Sequence, residues 1–330
     1  MDWGSIFTNA AVSLIGVQTV IYALAGIGLN VQFGYAGLLN FGQAAFAAIG
    51  AYGIATMVAI AGLPLWLGVV VGVVGAGLFA LVLGVPTLRL RADYLAIATI
   101  AAAEIVRLLL RSSSLREYTG GSGGVNGFSG DFYALNPFSP GTYGFGPWRF
   151  SERTTWVLLV AWVLIAVCCL VVWLLMRSPW GRVLKGIRED EDAVRSLGKN
   201  VYAYKMQALV IGGVIGALAG FVSALASGSV QADLYGTPFT FFIYTVLLLG
   251  GAARVLGPVV GAMIFWAVLS LTDNVLAQMI QGGYMPTWLM TDTQAGQVRF
   301  MLVGLALMLL MIFRPQGIFG DRRELAIDAR

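Results

Sequence analysis

The stretch TTWVLLVAWVLIAVCCLVVWLLM, residues 154–176, contains no charged side chain. A helix needs about 20 apolar residues to cross the hydrocarbon core of a bilayer, so this stretch is long enough to span a membrane. The rest of the chain is similar, since 58% of its 330 residues are hydrophobic, 11% are charged and the mean hydropathy is +0.83. Because soluble domains carry about a quarter charged residues, this composition excludes a water-soluble globule.

Further apolar stretches, separated by proline, glycine or charged residues, are predicted to span the membrane as well. Together with the first, they lie approximately at residues 9–29, 36–61, 65–86, 93–110, 154–176, 206–228, 238–253, 257–276 and 297–313. We therefore predict an all-α, polytopic helical membrane protein with about eight to ten transmembrane helices in one domain over residues 1–330. The seventh stretch is short and several are rich in glycine, so at least one helix is expected to be broken or re-entrant.

Lysine and arginine concentrate on one side of the predicted spans. Residues 177–205 carry seven and the tail, residues 314–330, carries four. Because successive spans cross the membrane in opposite directions, the loops between them lie on alternate sides. This arrangement puts fourteen basic residues on this side and five on the other. Because cytoplasmic loops are enriched in basic residues, both segments are predicted to be cytoplasmic and the loop at 111–153 extracytoplasmic. That loop contains GGSGGVNGFSG, a composition typical of a flexible linker.

Several classes of function are excluded by residues that the sequence lacks. It has no histidine, and its two cysteines, Cys168 and Cys169, are adjacent within an apolar stretch. Catalytic triads, zinc sites and disulfide frameworks therefore have no candidates. The sequence contains no P-loop motif and no basic stripe with interleaved aromatic residues. We expect no enzymatic activity, no bound metal or cofactor and no binding of nucleic acid. The protein is expected to be surrounded by membrane lipid.

The segment at 177–205 is the longest charged stretch on the predicted cytoplasmic side. Its apolar residues keep helical spacing, and they are Val183, Leu184, Ile187, Val194 and Leu197. This pattern predicts a helix from Arg182 to Leu197 that ends at Gly198. Such a helix either lies among lipid head groups or docks on a protein. Four consecutive acids, at residues 189–192, suit a basic or mixed protein surface better than an anionic leaflet.

Glycine totals 43 residues, and three of them stand four apart in the sixth stretch: Gly212, Gly216 and Gly220. This spacing puts a strip of glycine on one face of a helix, where it lets another backbone approach closely. We predict that the strip is a helix-packing surface.

Polar residues within the apolar stretches are costly in lipid and therefore informative. Glu104 and Arg107 share a helix face, which predicts an intramembrane ion pair. The amides and hydroxyls either line a polar pathway or form hydrogen bonds across helix interfaces. The residues to which both alternatives apply are Asn30, Asn40, Gln43, Thr87 and Thr99.

Six blocks of sequence occur in order along the chain. They are GYAGLLNFGQAAFAAIGAY (34–52), LRLRADYLAIATIAAAEIVRLLL (88–110), TGGSGGVNG (119–127), SPWGRVLKGIREDEDAVRSLGKNVYAYK (178–205), GGAARVLGPVVGA (250–262) and RPQGIFG (314–320). Together they resemble the LivM type of branched-chain amino acid ABC transporter permease, in the LivH/LivM permease family. Residues 192–198 resemble the loop by which ABC importer permeases dock on their ATPases, with Asp192 in place of glutamate and Val194 in place of alanine. Ala253 stands where the family usually has glycine.

The resemblance implies a permease subunit of an ABC importer in the cytoplasmic (inner) membrane of a prokaryote. The implied partners are a LivH-type sister permease, two ATP-binding-cassette ATPases and an extracytoplasmic substrate-binding protein, with branched-chain or related amino acids as substrates. The resemblance assigns the contact with the ATPases to Arg188, Glu189, Glu191, Asp192, Ala193, Arg195 and Gly198. The alternative is an ion-coupled secondary transporter of small amino acids or amides, including urea. Such a transporter needs intramembrane acids, and Glu104 is the one acid well within a predicted span.

Overall fold

The computed structural model describes residues 2–282, 292–313 and 317–320. In this part of the chain, six helices are long and apolar enough to cross a membrane: Trp3–Tyr35, Gln43–Ile60, Leu65–Thr87, Glu152–Arg177, Val201–Ser227 and Gly257–Ile280. Strands in the same part are limited to two short pairs. The prediction of an all-α, polytopic membrane protein is confirmed. The predicted tail, residues 314–330, lies outside the described residues except for 317–320.

The helices are numbered in chain order. They are α1 Trp3–Ile15, α2 Val17–Leu29, α3 Gln43–Ala55, α4 Leu65–Thr87, α5 Ala92–Arg111, α6 Arg116–Thr119, α7 Gly130–Ala134, α8 Glu152–Arg177, α9 Pro179–Glu189, α10 Glu191–Ser196, α11 Val201–Ser227, α12 Thr237–Gly250, α13 Gly257–Gln281 and α14 Asp292–Phe313. Shorter π-helical segments occupy Asn30–Tyr35 and Thr56–Ile60, and 3-10 turns occupy Ser113–Leu115, Gly121–Gly123 and Ala232–Tyr235. The strands are β1 Val125–Asn126, β2 Thr142–Phe145, β3 Trp148–Ser151 and β4 Ser229–Val230. Strand β1 pairs with β4 and β2 with β3, both antiparallel.

The first two predicted spans differ in detail from the helices that form. Gly16 has extended backbone (φ −70°, ψ 176°) and separates α1 from α2, so the stretch at 9–29 is a broken helix. The second span begins at Gln43 and not at residue 36, because residues 37–42 are not helical. Gly37 opens this segment with φ +69°, a left-handed conformation that glycine adopts without strain.

Helix α12, which corresponds to the seventh predicted span, contains 14 residues. At 1.5 Å per residue it is about 21 Å long, shorter than the hydrocarbon core of about 30 Å. The carbonyl oxygens of Leu249 and Gly250, at its end, accept hydrogen bonds from the N–H groups of Ile318 and Phe319 at 3.0 and 3.2 Å. Residues near the C-terminus therefore satisfy the last carbonyl groups of this short helix.

Helix α11 is at the centre of the bundle and packs against α2, α3 and α4. A Cβ added at Gly212 would lie 2.4 Å from the carbonyl oxygen of Gly28 on α2. One added at Gly220 would lie 1.9 Å from the carbonyl oxygen of Ala47 on α3. These distances leave no room for a side chain. The glycine strip therefore brings three backbones into direct contact, where dispersion forces hold helices together in lipid.

The segment at 111–153 is folded, which corrects the expectation of a flexible linker. Its strand β1 pairs with β4, which follows α11, and β2 and β3 form a hairpin. Gly120, Gly124 and Gly127 have φ values of +71°, +70° and +79°. The glycines therefore adopt positive-φ conformations that other residues adopt only with strain. The Tyr133 hydroxyl donates a hydrogen bond to the carbonyl oxygen of Leu225 at 3.0 Å, and burial raises the pKa of Tyr133.

Candidate functional site

The segment predicted to couple to an ATPase consists of two short helices, α9 and α10, which we call the coupling segment (residues 179–196). Between them, Asp190 is extended, and its Oδ1 accepts hydrogen bonds from the N–H groups of Asp192 and Ala193, both at 3.0 Å. Aspartate favours this N-cap position because its carboxylate satisfies N–H groups that have no partner within the helix. The prediction of one continuous helix over 182–197 is therefore wrong.

The inner face of the coupling segment is apolar and packed. Leu184, Ile187 and Val194 are 0%, 4% and 9% exposed. The sequence predicts Leu197 on the same face, but Leu197 is 78% exposed. The spacing of residues in the sequence predicts a shared face only within one continuous helix. Because the helix breaks at Asp190, the spacing does not predict on which face Leu197 lies.

The charged residues of α10 bind one another and the start of α11. Arg195 donates to Asp192 Oδ1 and to Glu191 Oε1, both at 2.8 Å. Lys205 on α11 donates to the other carboxylate oxygen of Glu191. The Asp192 and Arg195 side chains are 87% and 62% exposed, and ion pairs at such positions contribute at most about 1 kcal/mol each. Lys205 is 15% exposed, so its pair with Glu191 is the contact that fixes α10 to α11.

Arg188 connects the coupling segment to the transmembrane bundle. Its NH1 donates to the carbonyl oxygen of Gly34, in the π-helical segment after α2, at 2.6 Å. A hydrogen bond from a charged donor contributes about 1.5–3 kcal/mol. The other residues to which coupling is assigned, Glu189, Ala193 and Gly198, are exposed. Gly198 has φ +76° and ends the segment as predicted for a C-terminal stop.

The non-helical segment at 37–42 is held by polar side chains from the predicted set. Asn40 Oδ1 accepts from the Gly42 N–H at 2.8 Å, and Thr99 Oγ1 accepts from the Phe41 N–H at 3.0 Å. Within a membrane, every main-chain polar group needs a partner inside the protein. Asn40 is 1% exposed and Thr99 0%. Both side chains therefore satisfy backbone groups in the interior of the bundle.

Three further residues support this segment and are missing from the sequence prediction. Gln32 Oε1 accepts from Asn40 Nδ2 at 2.7 Å, Thr240 Oγ1 accepts from the Ala44 N–H at 3.0 Å, and the Tyr244 hydroxyl donates to the Asn40 carbonyl oxygen at 3.0 Å. Gln32 could have been included, because it is an amide only two residues after Asn30, between the first two predicted spans. Thr240 and Tyr244 stand 196 and 204 residues from their partners, so no local pattern indicates their contacts.

Gln43 joins three helices at the start of α3. Its Nε2 donates to the Gly212 carbonyl oxygen on α11 at 3.2 Å and to that of Ala25 on α2 at 3.4 Å. A Cβ added at Gly216 would lie 2.4 Å from this nitrogen, so the glycine makes room for the amide. Gln43 Oε1 is buried without a hydrogen-bond partner among the described residues.

Asn30 and Thr87 complete the predicted polar set. Asn30 Oδ1 accepts from the Ala253 N–H at 2.9 Å, and Nδ2 donates to the Arg254 carbonyl oxygen at 2.8 Å. Thr87 donates to the Leu83 carbonyl oxygen of its own helix at 2.6 Å. All five predicted amides and hydroxyls are at most 5% exposed. Asn30, Gln43 and Thr99 bind residues outside their own helices, and Asn40, which lies in no helix, binds Gln32.

Three charged residues of α5, Glu104, Arg107 and Arg111, form one network near its C-terminal end. Glu104 accepts from Arg107 Nε at 2.9 Å and from NH2 at 2.5 Å, so the pair is bidentate. Arg107 NH1 also binds Asp233, between α11 and α12, at 2.5 Å, and Arg111 NH1 lies 3.4 Å from the same oxygen. The Glu104 carboxylate is thus neutralised by its neighbour. Asp233 is absent from the sequence prediction because it stands 126 residues from Arg107.

Metal binding has no candidate site among the described residues, where no three histidine, cysteine, aspartate or glutamate side chains form a suitable group.

Residues 11–313 match the family described as the permease component of the branched-chain amino acid transport system. The chain belongs to this permease family. One relative of the permease is the high-affinity branched-chain amino acid transport system permease protein LivM of Salmonella typhimurium. The two are 31% identical over 96% of this chain and 71% of the relative.

Two further relatives carry other names. The permease is 28% identical to the high-affinity branched-chain amino acid transport system permease protein LivH of Escherichia coli K12, over 91% of each chain. It is 25% identical to the nucleoside ABC transporter permease protein NupC of Lactococcus lactis subsp. cremoris, over 76% of each chain. The permease therefore shares its sequence pattern with relatives named for different substrates.

Proposed function

We propose that this permease is the membrane-spanning subunit of an ABC importer and has no enzymatic activity of its own. In this proposal it pairs with a LivH-type permease in the cytoplasmic membrane of a prokaryote. Two separate ATPases drive transport, and an extracytoplasmic binding protein delivers the substrate. The family and the names of the relatives support the importer class, and the coupling segment is the observation that carries the proposal.

The coupling segment has the properties of a docking element. Its outer face presents charged side chains and its inner face is packed against the bundle, and the exposed Leu197 follows directly after its last residue. Protein interfaces combine a buried apolar anchor with a polar rim in this way. Arg188 joins the segment to Gly34 at the end of α2. A force applied by a docked ATPase would therefore reach the transmembrane helices through a direct contact.

The substitution Leu197→Asp tests docking without removing a packed side chain, because Leu197 is 78% exposed. Burying a leucine in an interface contributes roughly 1.5–3 kcal/mol, so we expect at least about a tenfold loss of ATPase retention in mild detergent, with normal membrane levels. Leu234→Asp is the matched control, because Leu234 is 55% exposed and follows the opposite end of α11. Full ATPase retention and normal uptake by Leu197→Asp would contradict the proposed docking.

Branched-chain amino acids are the proposed substrates. The experiment is uptake by the reconstituted complex, with leucine, isoleucine, valine, urea and a nucleoside offered separately. We expect saturable, ATP-dependent uptake of the three branched-chain amino acids and none of urea or the nucleoside. Uptake of the nucleoside alone would place this permease functionally with NupC.

A further inference from the structure

A groove of about 880 Å³ lies beside the coupling segment. Its walls are the linker at residues 88–91 between α4 and α5, the helix α10 and the start of α11. The charged side chains that line it are Arg89, Arg91, Arg195, Lys199, Lys205, Glu191 and Asp192. Its volume lies within the range of about 300–1,000 Å³ that is usual for small-molecule sites. We call it the basic groove.

The basic groove has an excess of positive charge. Its two acids are already paired with Arg195 and Lys205. The side chains of Arg91 and Lys199 form no hydrogen bond or ion pair among the described residues, and Arg89 lies over a tyrosine ring at 5.8 Å. Three bases without a carboxylate partner therefore line one groove, which is complementary to an anion.

One rim of the basic groove continues into exposed apolar side chains. Leu90, on the rim, is 45% exposed, and Val85 and Val82 on α4 are 54% and 72% exposed. Tyr94 and Ile97, at the start of α5, are 62% and 65% exposed. Helix α4 is long and apolar enough to cross a membrane, so its exposed face suits acyl chains.

We propose that the basic groove binds the head group of an anionic phospholipid, whose acyl chains lie along α4 and α5. The inference rests on the proposed function, which orients the coupling segment, and with it the groove, toward the cytoplasmic leaflet. Anionic lipids are enriched there, and basic pockets between transmembrane helices bind their head groups. A soluble partner protein would match the charge alone, whereas a phospholipid matches both the bases and the neighbouring apolar surface.

A lipid at this position would link two parts of the permease. Arg91 belongs to the linker between α4 and α5, and Lys199 follows α10, so a phosphate between them joins the bundle to the coupling segment. Occupancy of the groove would then limit the movement of α10. We therefore expect substrate-stimulated ATP hydrolysis by the complex to depend on anionic lipid.

Native mass spectrometry of the purified full chain in neutral detergent measures the binding directly, with phosphatidylglycerol or phosphatidylcholine added at equal concentration. We expect retention of phosphatidylglycerol alone, and about tenfold weaker retention by Arg91→Gln/Lys199→Gln. The charge-conserving pair Arg91→Lys/Lys199→Arg should retain the lipid. The matched control, Arg177→Gln/Arg182→Gln, removes two cytoplasmic bases outside the groove and should also retain it.

Equal phosphatidylglycerol retention by the Arg91→Gln/Lys199→Gln variant and its control would overturn the inference. Displacement of the lipid by inorganic phosphate at matched ionic strength would show a free-anion site instead. Loss of ATPases from the double variant with unchanged lipid binding would assign the groove to a protein contact, and that result also overturns the proposal. Because the lipid measurement uses the isolated chain, its outcome is separate from whether the importer complex assembles.

Discussion

Asn30 holds Ala253 in a left-handed backbone conformation across 223 residues of sequence. The Asn30 amide oxygen accepts a hydrogen bond from the Ala253 N–H at 2.9 Å, while Ala253 has φ +58°. A residue with a Cβ is strained by about 1–2 kcal/mol in this region. The Asn30 side chain is 1% exposed, and its amide nitrogen also donates to the carbonyl oxygen of Arg254. The residue that directly follows α2 therefore holds the turn that follows α12.

We expect Ala253→Gly to stabilise the permease by about 1 kcal/mol, because glycine adopts positive φ without strain. The measurement is the midpoint of thermal unfolding in detergent. Ala252→Gly is the matched control, since Ala253 is the one non-glycine residue with positive φ among those described. A fall in stability for Ala253→Gly equal to that of Ala252→Gly would show that the turn carries no strain.

Arg188→Gln should uncouple ATP hydrolysis from transport. A hydrogen bond from a charged donor, such as that to Gly34, contributes about 1.5–3 kcal/mol, so its loss should lower uptake at least about tenfold while the ATPases remain bound. Uptake and hydrolysis by the same proteoliposomes give the ratio, and Arg182→Gln, exposed on the same helix, is the control. Parallel loss of ATPase retention would mean that Arg188 acts in docking and not in transmission.

Gly220→Ala tests the glycine strip at its tightest point. The added Cβ would lie 1.9 Å from the Ala47 carbonyl oxygen, which is backbone and cannot rotate away. Overpacking of this kind costs typically about 1–3 kcal/mol, so the variant should lose thermal stability and monodispersity in detergent. Gly77→Ala, a helical glycine with open space around its Cβ, should be neutral or stabilising by up to about 1 kcal/mol. Equal behaviour of the two variants would refute close packing at Gly220.

Glu104→Gln distinguishes the importer from an ion-coupled transporter. If the carboxylate mainly neutralises Arg107, the variant should lower expression and stability, and any surviving complex should remain ATP-dependent and indifferent to the proton gradient. Asp233→Asn, which weakens the same network from outside α5, should have a similar effect. Normal expression combined with loss of ion-dependent uptake would support the secondary-transporter alternative.

The predicted orientation can be tested by labelling. A cysteine at Ser196, which is exposed in α10, should resist an impermeant thiol reagent in intact cells. A cysteine at Ser139, exposed in the segment at 111–153, should react. Both are introduced into a Cys168→Ala/Cys169→Ala background. The reverse pattern of labelling would invert the topology and remove the basis for a cytoplasmic coupling segment.

The positions of the apolar helices could be predicted, because a membrane-spanning helix is recognised by the length and apolar composition of its own stretch of sequence. Helix α8 contains the whole uncharged stretch at 154–176. The spacing of Gly212, Gly216 and Gly220 likewise predicts the packing face of α11. The break between α9 and α10 was also accessible, since Asp190 is a favoured N-cap residue within an acidic run. The helical spacing of the apolar residues on both sides of this run nevertheless predicts one continuous helix.

The polar interior could not be derived in the same way. Asn40 and Gln43 are visible in the sequence as polar residues, but their roles depend on partners that stand far away in the chain. The Gln43 contact with Gly212, for example, spans 169 residues. A pathway and a helix interface require the same residue types, so the choice between them depends on three-dimensional position.

The non-helical segment at 37–42 has a consequence for the order in which the chain is completed. The Tyr244 hydroxyl that binds Asn40 is translated 204 residues later, a delay of about 10–40 s at 5–20 residues per second. During that interval, the Asn40 carbonyl group and the Ala44 N–H lack their final partners. Helices α2 and α3 therefore cannot reach their mature contacts as an independent hairpin during synthesis. The contacts of this N-terminal region are therefore completed only after α12 has been synthesised.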